Sequence, residues 1–202
     1  LLDIIKYYAP TIKIVATPWS APAWMKSSNN FLAGYLLKEK YQLYARYLVK
    51  VCEAYHTQHG VNWFGLTLQN EPLNEPNDYP VMRMSAAEQA EFIKILGPLL
   101  RASSVSSCSK VKIMSYDHNW DVPEYPIEIL NNTMARQYVD GSAFHCYMGD
   151  VSAQLQVQIL HPDKELYFTE CSGTGESNFF GNIPWNVKNI YVGSVLNYAS
   201  LV

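Results

Sequence analysis

Five short apolar runs, each followed by residues with a helical period, restrict the fold of this chain more than any other feature of its sequence. Strands are expected near Ile12 to Ala16, Trp63 to Gln69, Val111 to Ser115, Ser142 to Cys146 and Leu166 to Thr169. Parallel strands need a long crossover between them, so alternation of this kind argues for an array of βα units. Between the first two runs, Tyr41, Ala45, Leu48, Val49, Cys52 and Tyr55 recur at intervals of three and four and define an amphipathic helix that Gly60 ends. After the second run, Ser85 and Glu88 have the spacing of a capping box, and Phe92, Ile95, Leu96 and Leu99 line one helical face that Pro98 is expected to kink or end. Further helical stretches lie near Pro126 to Tyr138, Val151 to Leu160 and Trp185 to Tyr198, and Leu1 to Tyr8 reads as the tail of an earlier helix.

Such an array either stays open as a doubly wound sheet or closes toward a barrel. Polar or aromatic residues follow every strand: Trp19 and Ser20, Asn70 and Glu71, Asp117 and His118, His145 and Tyr147, and Glu170. An open sheet gathers its ligand groups at one switch point, whereas a barrel brings all strand ends around one mouth, so the pattern favours a barrel. The first βα turn also lacks a Gly-rich phosphate loop, which argues against a nucleotide enzyme.

Fifteen basic and eighteen acidic residues, with no Lys/Arg run, offer no track for nucleic acid. No apolar stretch approaches the roughly 20 residues that span a bilayer, and no basic-then-apolar leader opens the chain. Cys52, Cys108, Cys146 and Cys171 show neither CxxC nor Cys/His spacing, so no metal site is assigned. A Cys146–Cys171 disulfide is geometrically conceivable, but buried thiols are the expectation. Asn131-Asn132-Thr133 is a glycosylation sequon, meaningful only on the secretory route.

Glu71 and Glu170 each close an apolar run, which puts a carboxylate on the rim of such a barrel rather than in its core. Two rim carboxylates suit glycoside hydrolysis with retention, in which one attacks the anomeric carbon and the other, about 5 to 5.5 Å away, protonates the departing oxygen. Glu71 is assigned as acid/base and Glu170 as nucleophile, against the plainer reading of two solvated or salt-bridged rim residues. Asn70 is placed to bond a sugar 2-hydroxyl, unless it merely forms a turn; Glu75, in the look-alike triplet Asn74-Glu75-Pro76, is expected to be a loop carboxylate. Trp19 offers a face for a pyranose ring, better placed than Trp24 or Trp120, with core packing as the competing role. Tyr147 is expected to orient a catalytic carboxylate and His145 to share its side of the strand, or to be a satisfied core histidine. Asp117 and His118 either bind hydroxyls or cap the next helix.

Five segments together resemble glycoside hydrolase family 30: Ala16 to Lys26, Leu68 to Pro72, Tyr116 to Trp120, Phe144 to Tyr147 and Phe168 to Gly173. The resemblance implies a retaining β-glycosidase whose acid/base matches Glu71 and whose nucleophile matches Glu170, with Trp19, Asn70, His145 and Tyr147 at sugar-pocket positions. It further implies an α/β fold, a partial (β/α)8 TIM barrel spanning 1–202 as one incomplete domain. About five consecutive βα units are expected, without the first two strands, the last strand and the β-sandwich of complete members. Glucosylceramide is the first expected substrate and β-1,6-glucan the second, a carbohydrate or glycolipid in either case. No cofactor is implied, and secretion or a lysosomal location follows from the resemblance alone. The non-enzymatic alternative is an inactive barrel fragment that binds carbohydrate weakly.

Overall fold

The computed structural model describes residues 1–172 and 179–202. Gly173, the last residue of the Phe168 to Gly173 motif, lies outside the described residues. Helix α1 (Leu2–Tyr8) leads into β1 (Ile14–Ala16), α2 (Tyr41–His59), β2 (Trp63–Thr67), α3 (Ala86–Arg101), the short α4 (Ser106–Ser109) and β3 (Lys112–Asn119). There follow α5 (Glu124–Asn131), α6 (Thr133–Arg136), β4 (Val139–His145), α7 (Ala153–Leu160), β5 (Glu165–Glu170), α8 (Phe179–Asn186), α9 (Ser194–Leu196) and β6 (Ala199–Leu201). The strands pair in sequence order, every pair parallel, and curl into half a barrel. Helices α2, α3, α5 and α7 pack their apolar faces on the outside of the sheet around Leu48, Phe92, Ile129 and Val157. Its inner face carries a second, smaller cluster with one residue from each strand: Val15, Phe64, Met114, Ala143, Tyr167 and Leu201.

The described strands number six, not five. The helical stretch expected near Trp185 to Tyr198 gives way to β6, which pairs with β5 through Leu166 with Ala199 and Tyr167 with Leu201. Three residues centred on Ser200 carry no periodicity of their own; the strand exists because β5 offers it a hydrogen-bonding edge. The same region is also not one α-helix, since residues Val187–Gly193 wind as a π-helix between α8 and α9.

The Ser85 capping box is present in full, its hydroxyl accepting from the Glu88 N–H while the Glu88 carboxylate accepts from the Ser85 N–H. Pro98 does not stop α3, which runs on to Arg101. The proline sits on the exposed face, where water reaches the carbonyl that its ring deprives of a partner. Gly60, at φ 61°, closes α2 in the left-handed conformation, as its position after the last periodic residue implies.

All four cysteines are paired, Cys52 with Cys108 and Cys146 with Cys171, which corrects the expectation of free thiols. The Cys146–Cys171 pair follows the expected neighbouring strands β4 and β5, whereas nothing in the spacing reveals that α4 folds against α2. Closing the 56-residue interval between Cys52 and Cys108 removes chain entropy from the unfolded state worth about 4 kcal/mol. A Cys52→Ser, Cys108→Ser protein is therefore expected to lose several kcal/mol in urea unfolding relative to the oxidised parent; an unchanged midpoint would mean that the bridge constrains nothing.

Candidate active site

The C-terminal ends of β2, β3, β4 and β5 converge on a cavity of about 790 Å³ whose wall includes Trp19, Glu71, Asn74, Tyr79, His118, Tyr147 and Glu170. A second cavity of about 450 Å³, against Tyr44, Leu48, Trp63 and Leu66, is lined by no carboxylate.

Glu71 does not lie on β2 itself, which ends at Thr67, but at the tip of the bend that follows. Its backbone has φ 44°, and its N–H donates to the Asp117 carbonyl at 2.9 Å. Asp117 and Tyr116 also have positive φ, 64° and 73°, within a bulge where β3 slips register against β4. Each such non-glycine conformation costs on the order of 1 to 3 kcal/mol and persists only where surroundings impose it. Here the Tyr116 N–H donates to Gln89 Oε1 and its hydroxyl to the Asn119 carbonyl, so the bulge is bonded from both sides. The end of β1 is tied in as well, through the Asn70 N–H to the Pro18 carbonyl and Gln69 Nε2 to the Trp19 carbonyl. The bulge also extends β3 beyond Ser115, so that Asp117, His118 and Asn119 belong to a strand rather than to a helix cap.

Behind the cavity wall, His145 donates from Nδ1 to Glu71 Oε1 at 3.2 Å and from Nε2 to Asp117 Oδ1 at 3.1 Å. Thr169 donates its hydroxyl to the same Asp117 oxygen at 2.7 Å. Burial works against a charged His145, but hydrogen bonds to Asp117 and Glu71 and the charges of Asp117 and Glu170 outweigh it, holding the imidazolium up to about 9. Burial likewise pushes the Glu71 carboxyl up, yet bonds from His145 and Asn74 and the field of both histidines leave it below the ordinary carboxylate range. His118, unlike His145, is shifted down: burial is the main cause, the neighbouring His145 adds to it and the charge of Glu71 opposes it.

Glu170 lies at the end of β5, in register with His145. Tyr147 donates its hydroxyl to Glu170 Oε1 at 2.9 Å. Burial raises the Tyr147 phenol and the Glu170 charge adds to that, so it remains a proton donor at neutral pH. Its backbone N–H is held by Asn119 Oδ1 at 3.0 Å, and the Cys146–Cys171 bridge clamps the two strand ends that carry Tyr147 and Glu170.

Of the residues singled out in the sequence, Trp19, Glu71, His118, Tyr147 and Glu170 line the cavity, with Trp19 40% exposed and set edge-on against Tyr79 at 5.4 Å. Asp117 neither binds at the wall nor caps a helix: it is 1% exposed and spends an oxygen on His145 and Thr169. His145 and Asn70 are similarly buried, and both side-chain polar atoms of Asn70 lack a partner among the described residues. Trp120 is a core residue, stacked on Phe168 with its indole N–H on Gln154, while Trp24 is an exposed residue outside the cavity wall. Glu75 is an exposed loop carboxylate paired with Arg83. Sequence reasoning missed Asn74, which donates to Glu71 Oε2 at 2.8 Å and to the Tyr79 hydroxyl at 3.0 Å. The Asn74 N–H returns to the Glu71 carbonyl in a tight turn, which brings its side chain back onto the carboxylate. No helix among the described residues is long and apolar enough to cross a membrane.

A parallel half-barrel with two glutamates on one cavity at its strand ends defines a domain of the barrel glycoside hydrolase class. The family model described as the glycosyl hydrolase family 30 TIM-barrel domain matches residues 1–196, and the chain belongs to that family. It is 35% identical to endo-1,6-beta-D-glucanase neg1 of Aspergillus fumigatus, over 85% of this chain and 37% of that protein. It is 38% identical to putative glucosylceramidase 4 of Caenorhabditis elegans, over 80% of this chain and 33% of that one. Among solved structures, the endo-beta1,6-glucanase BT3312 superposes with TM-score 0.92 at 30% identity, covering 100% of this chain and 47% of the other. The chain thus spans between a third and a half of the length of these relatives.

Proposed function

We propose that the site hydrolyses β-glucosidic bonds with retention, on the single observation that Glu71 and Glu170 face one cavity with Glu170 aimed by Tyr147. Glu170 attacks C1 of the sugar as the C1–O bond breaks, and Glu71 gives its proton to the departing oxygen. A water then loses its proton to Glu71 and attacks C1, releasing the sugar and regenerating the Glu170 carboxylate. In the free site Glu71 is held ionised, so it needs a proton before the first step; a sugar that expels water from the cavity removes the hydration that favours the carboxylate. Trp19 supplies the platform for the ring. The amide of Asn70, whose polar atoms have no partner among the described residues, is assigned to the sugar 2-hydroxyl, where a bond that strengthens in the transition state aids catalysis.

β-1,6-Glucan is the substrate we favour, supported by the likeness to two proteins named as endo-β-1,6-glucanases, one of them over the whole chain. Glucosylceramide is the second reading, supported by the 38% identity to a putative glucosylceramidase. The two disulfides fit an oxidising compartment. The test is hydrolysis of β-1,6-gluco-oligosaccharides and of short-chain glucosylceramide, by the 202-residue chain and by the full reading frame of its gene, with the first-formed anomer followed by NMR. Cleavage of the oligosaccharides to a β-anomer is expected. Cleavage of the lipid alone would replace the substrate assignment, and an α-anomer would overturn the double displacement.

A further inference from the structure

The histidine pair beside Glu71 carries more than the hydrolytic reading uses. Glu71, His118 and His145 each present a ligand atom, all three within 4.8 Å of one another and all three residues buried. Glu71 Oε1 is 3.2 Å from His145 Nδ1 and 3.8 Å from His118 Nδ1. Around a tetrahedral ion with bonds of 2.0 to 2.2 Å, ligand atoms stand about 3.3 to 3.6 Å apart, so these separations bracket what a bound ion imposes.

Two independent features point to a cation. His118 is 8% exposed, yet its Nδ1 has no hydrogen-bond partner among the described residues and faces Glu71 from beyond bonding distance. An unsatisfied buried ring nitrogen beside a carboxylate is a site with a lone pair to give. His145, for its part, bonds through Nε2 to Asp117, itself buried and bonded to Thr169. That is the carboxylate–histidine arrangement that orients metal-bound imidazoles and fixes their tautomer.

We propose that Glu71, His118 and His145 bind one divalent transition-metal ion of the zinc class through two imidazoles and a carboxylate, leaving a fourth position open to the cavity, and that the bound ion blocks the site. Borderline nitrogen and oxygen donors in this set suit Zn2+, Co2+, Ni2+ or Cu2+ rather than Mg2+ or Ca2+. On binding, the proton that His145 shares with Glu71 is released to solvent and its nitrogen lone pair goes to the metal; no electron is transferred. The ion then occupies the Glu71 oxygen that the proposed hydrolysis needs, so the inhibitory half of the inference rests on that reading while the binding half does not.

Titrating chelator-treated protein with Co2+ is expected to give one ion per chain with the strong visible absorption of four-coordinate cobalt, bleached by equimolar Zn2+. His118→Asn should abolish that spectrum. Asp117→Asn, which keeps all three ligands but removes the partner of His145, should weaken binding about 10- to 100-fold. Zn2+ should raise KM for a β-glucoside without changing kcat. Absence of the four-coordinate spectrum, or the same affinity in His118→Asn, would overturn the site. If His118→Asn fails to fold, judged by circular dichroism, undiminished affinity in Asp117→Asn overturns it instead. Metal binding that leaves KM unchanged would overturn the inhibition, and a chain that cleaves no glycoside but still gives the cobalt spectrum would sink the hydrolytic reading while keeping the metal site.

Discussion

Replacing Glu170 with Gln is expected to lower kcat/KM on a β-glucoside by on the order of 10^4-fold or more, because the amide keeps the shape of the side chain but cannot form the glycosyl ester. The substitution leaves the folded state nearly untouched. Glu170 is only partly buried, its carboxylate accepts from Tyr147 among the described residues, and an amide oxygen still accepts that bond. Thermal unfolding should therefore stay within a few degrees of the parent, which separates a lost nucleophile from a lost structure. A sharper version is Glu170→Gly with added azide, in which the small anion enters the vacated space and attacks C1 from the same face. The expected product is the α-glycosyl azide. Retention of more than about 1% of activity in Glu170→Gln would assign the nucleophile elsewhere.

Glu71→Ala should fail in a different way. Loss of a general acid costs typically 10^2- to 10^4-fold, but only for substrates whose departing group needs the proton. With 2,4-dinitrophenyl β-glucoside the first step should proceed almost unimpaired, a burst of dinitrophenol should precede slow turnover, and azide should restore the steady rate by attacking an intermediate that no longer has a base to activate water. Unactivated oligosaccharides should show neither burst nor rescue. If both substrate types lose activity equally, Glu71 acts in binding or support rather than as the acid/base. The substitution also removes an acceptor from His145 and Asn74, so unlike Glu170→Gln it should lower the unfolding midpoint. His145 would then keep Asp117 as its remaining bonded carboxylate.

These outcomes depend on arrangements of quite different visibility. Helices α2 and α3 were legible because an amphipathic face repeats at a period that belongs to the helix alone, and because Ser85, Glu88 and Gly60 mark their ends by local bonding. Five of the strands were legible because buried parallel strands are short apolar runs between such helices. Their ends were less so: β3 continues four residues past Ser115 because its bulge is held by Gln89 and by the Glu71 backbone, both from other elements. β6 has no apolar run to read and forms only against β5.

For the site the division is similar. A parallel βα array, two glutamates at strand ends and a tyrosine two residues beyond His145 could be read from the residues, because these follow from periodicity and from position along one chain. Folding was needed to show that Asp117 turns inward to hold His145, that Asn74 bonds Glu71, that all four cysteines pair, and that His118 and His145 meet at one carboxylate oxygen. The physical reason is that hydrogen bonds and disulfides act over about 2 to 4 Å between atoms, whereas the partners lie up to 74 residues apart along the chain. Strand order and the bulge at Tyr116 and Asp117 bring them within reach, and neither leaves a mark on the spacing of the residues themselves.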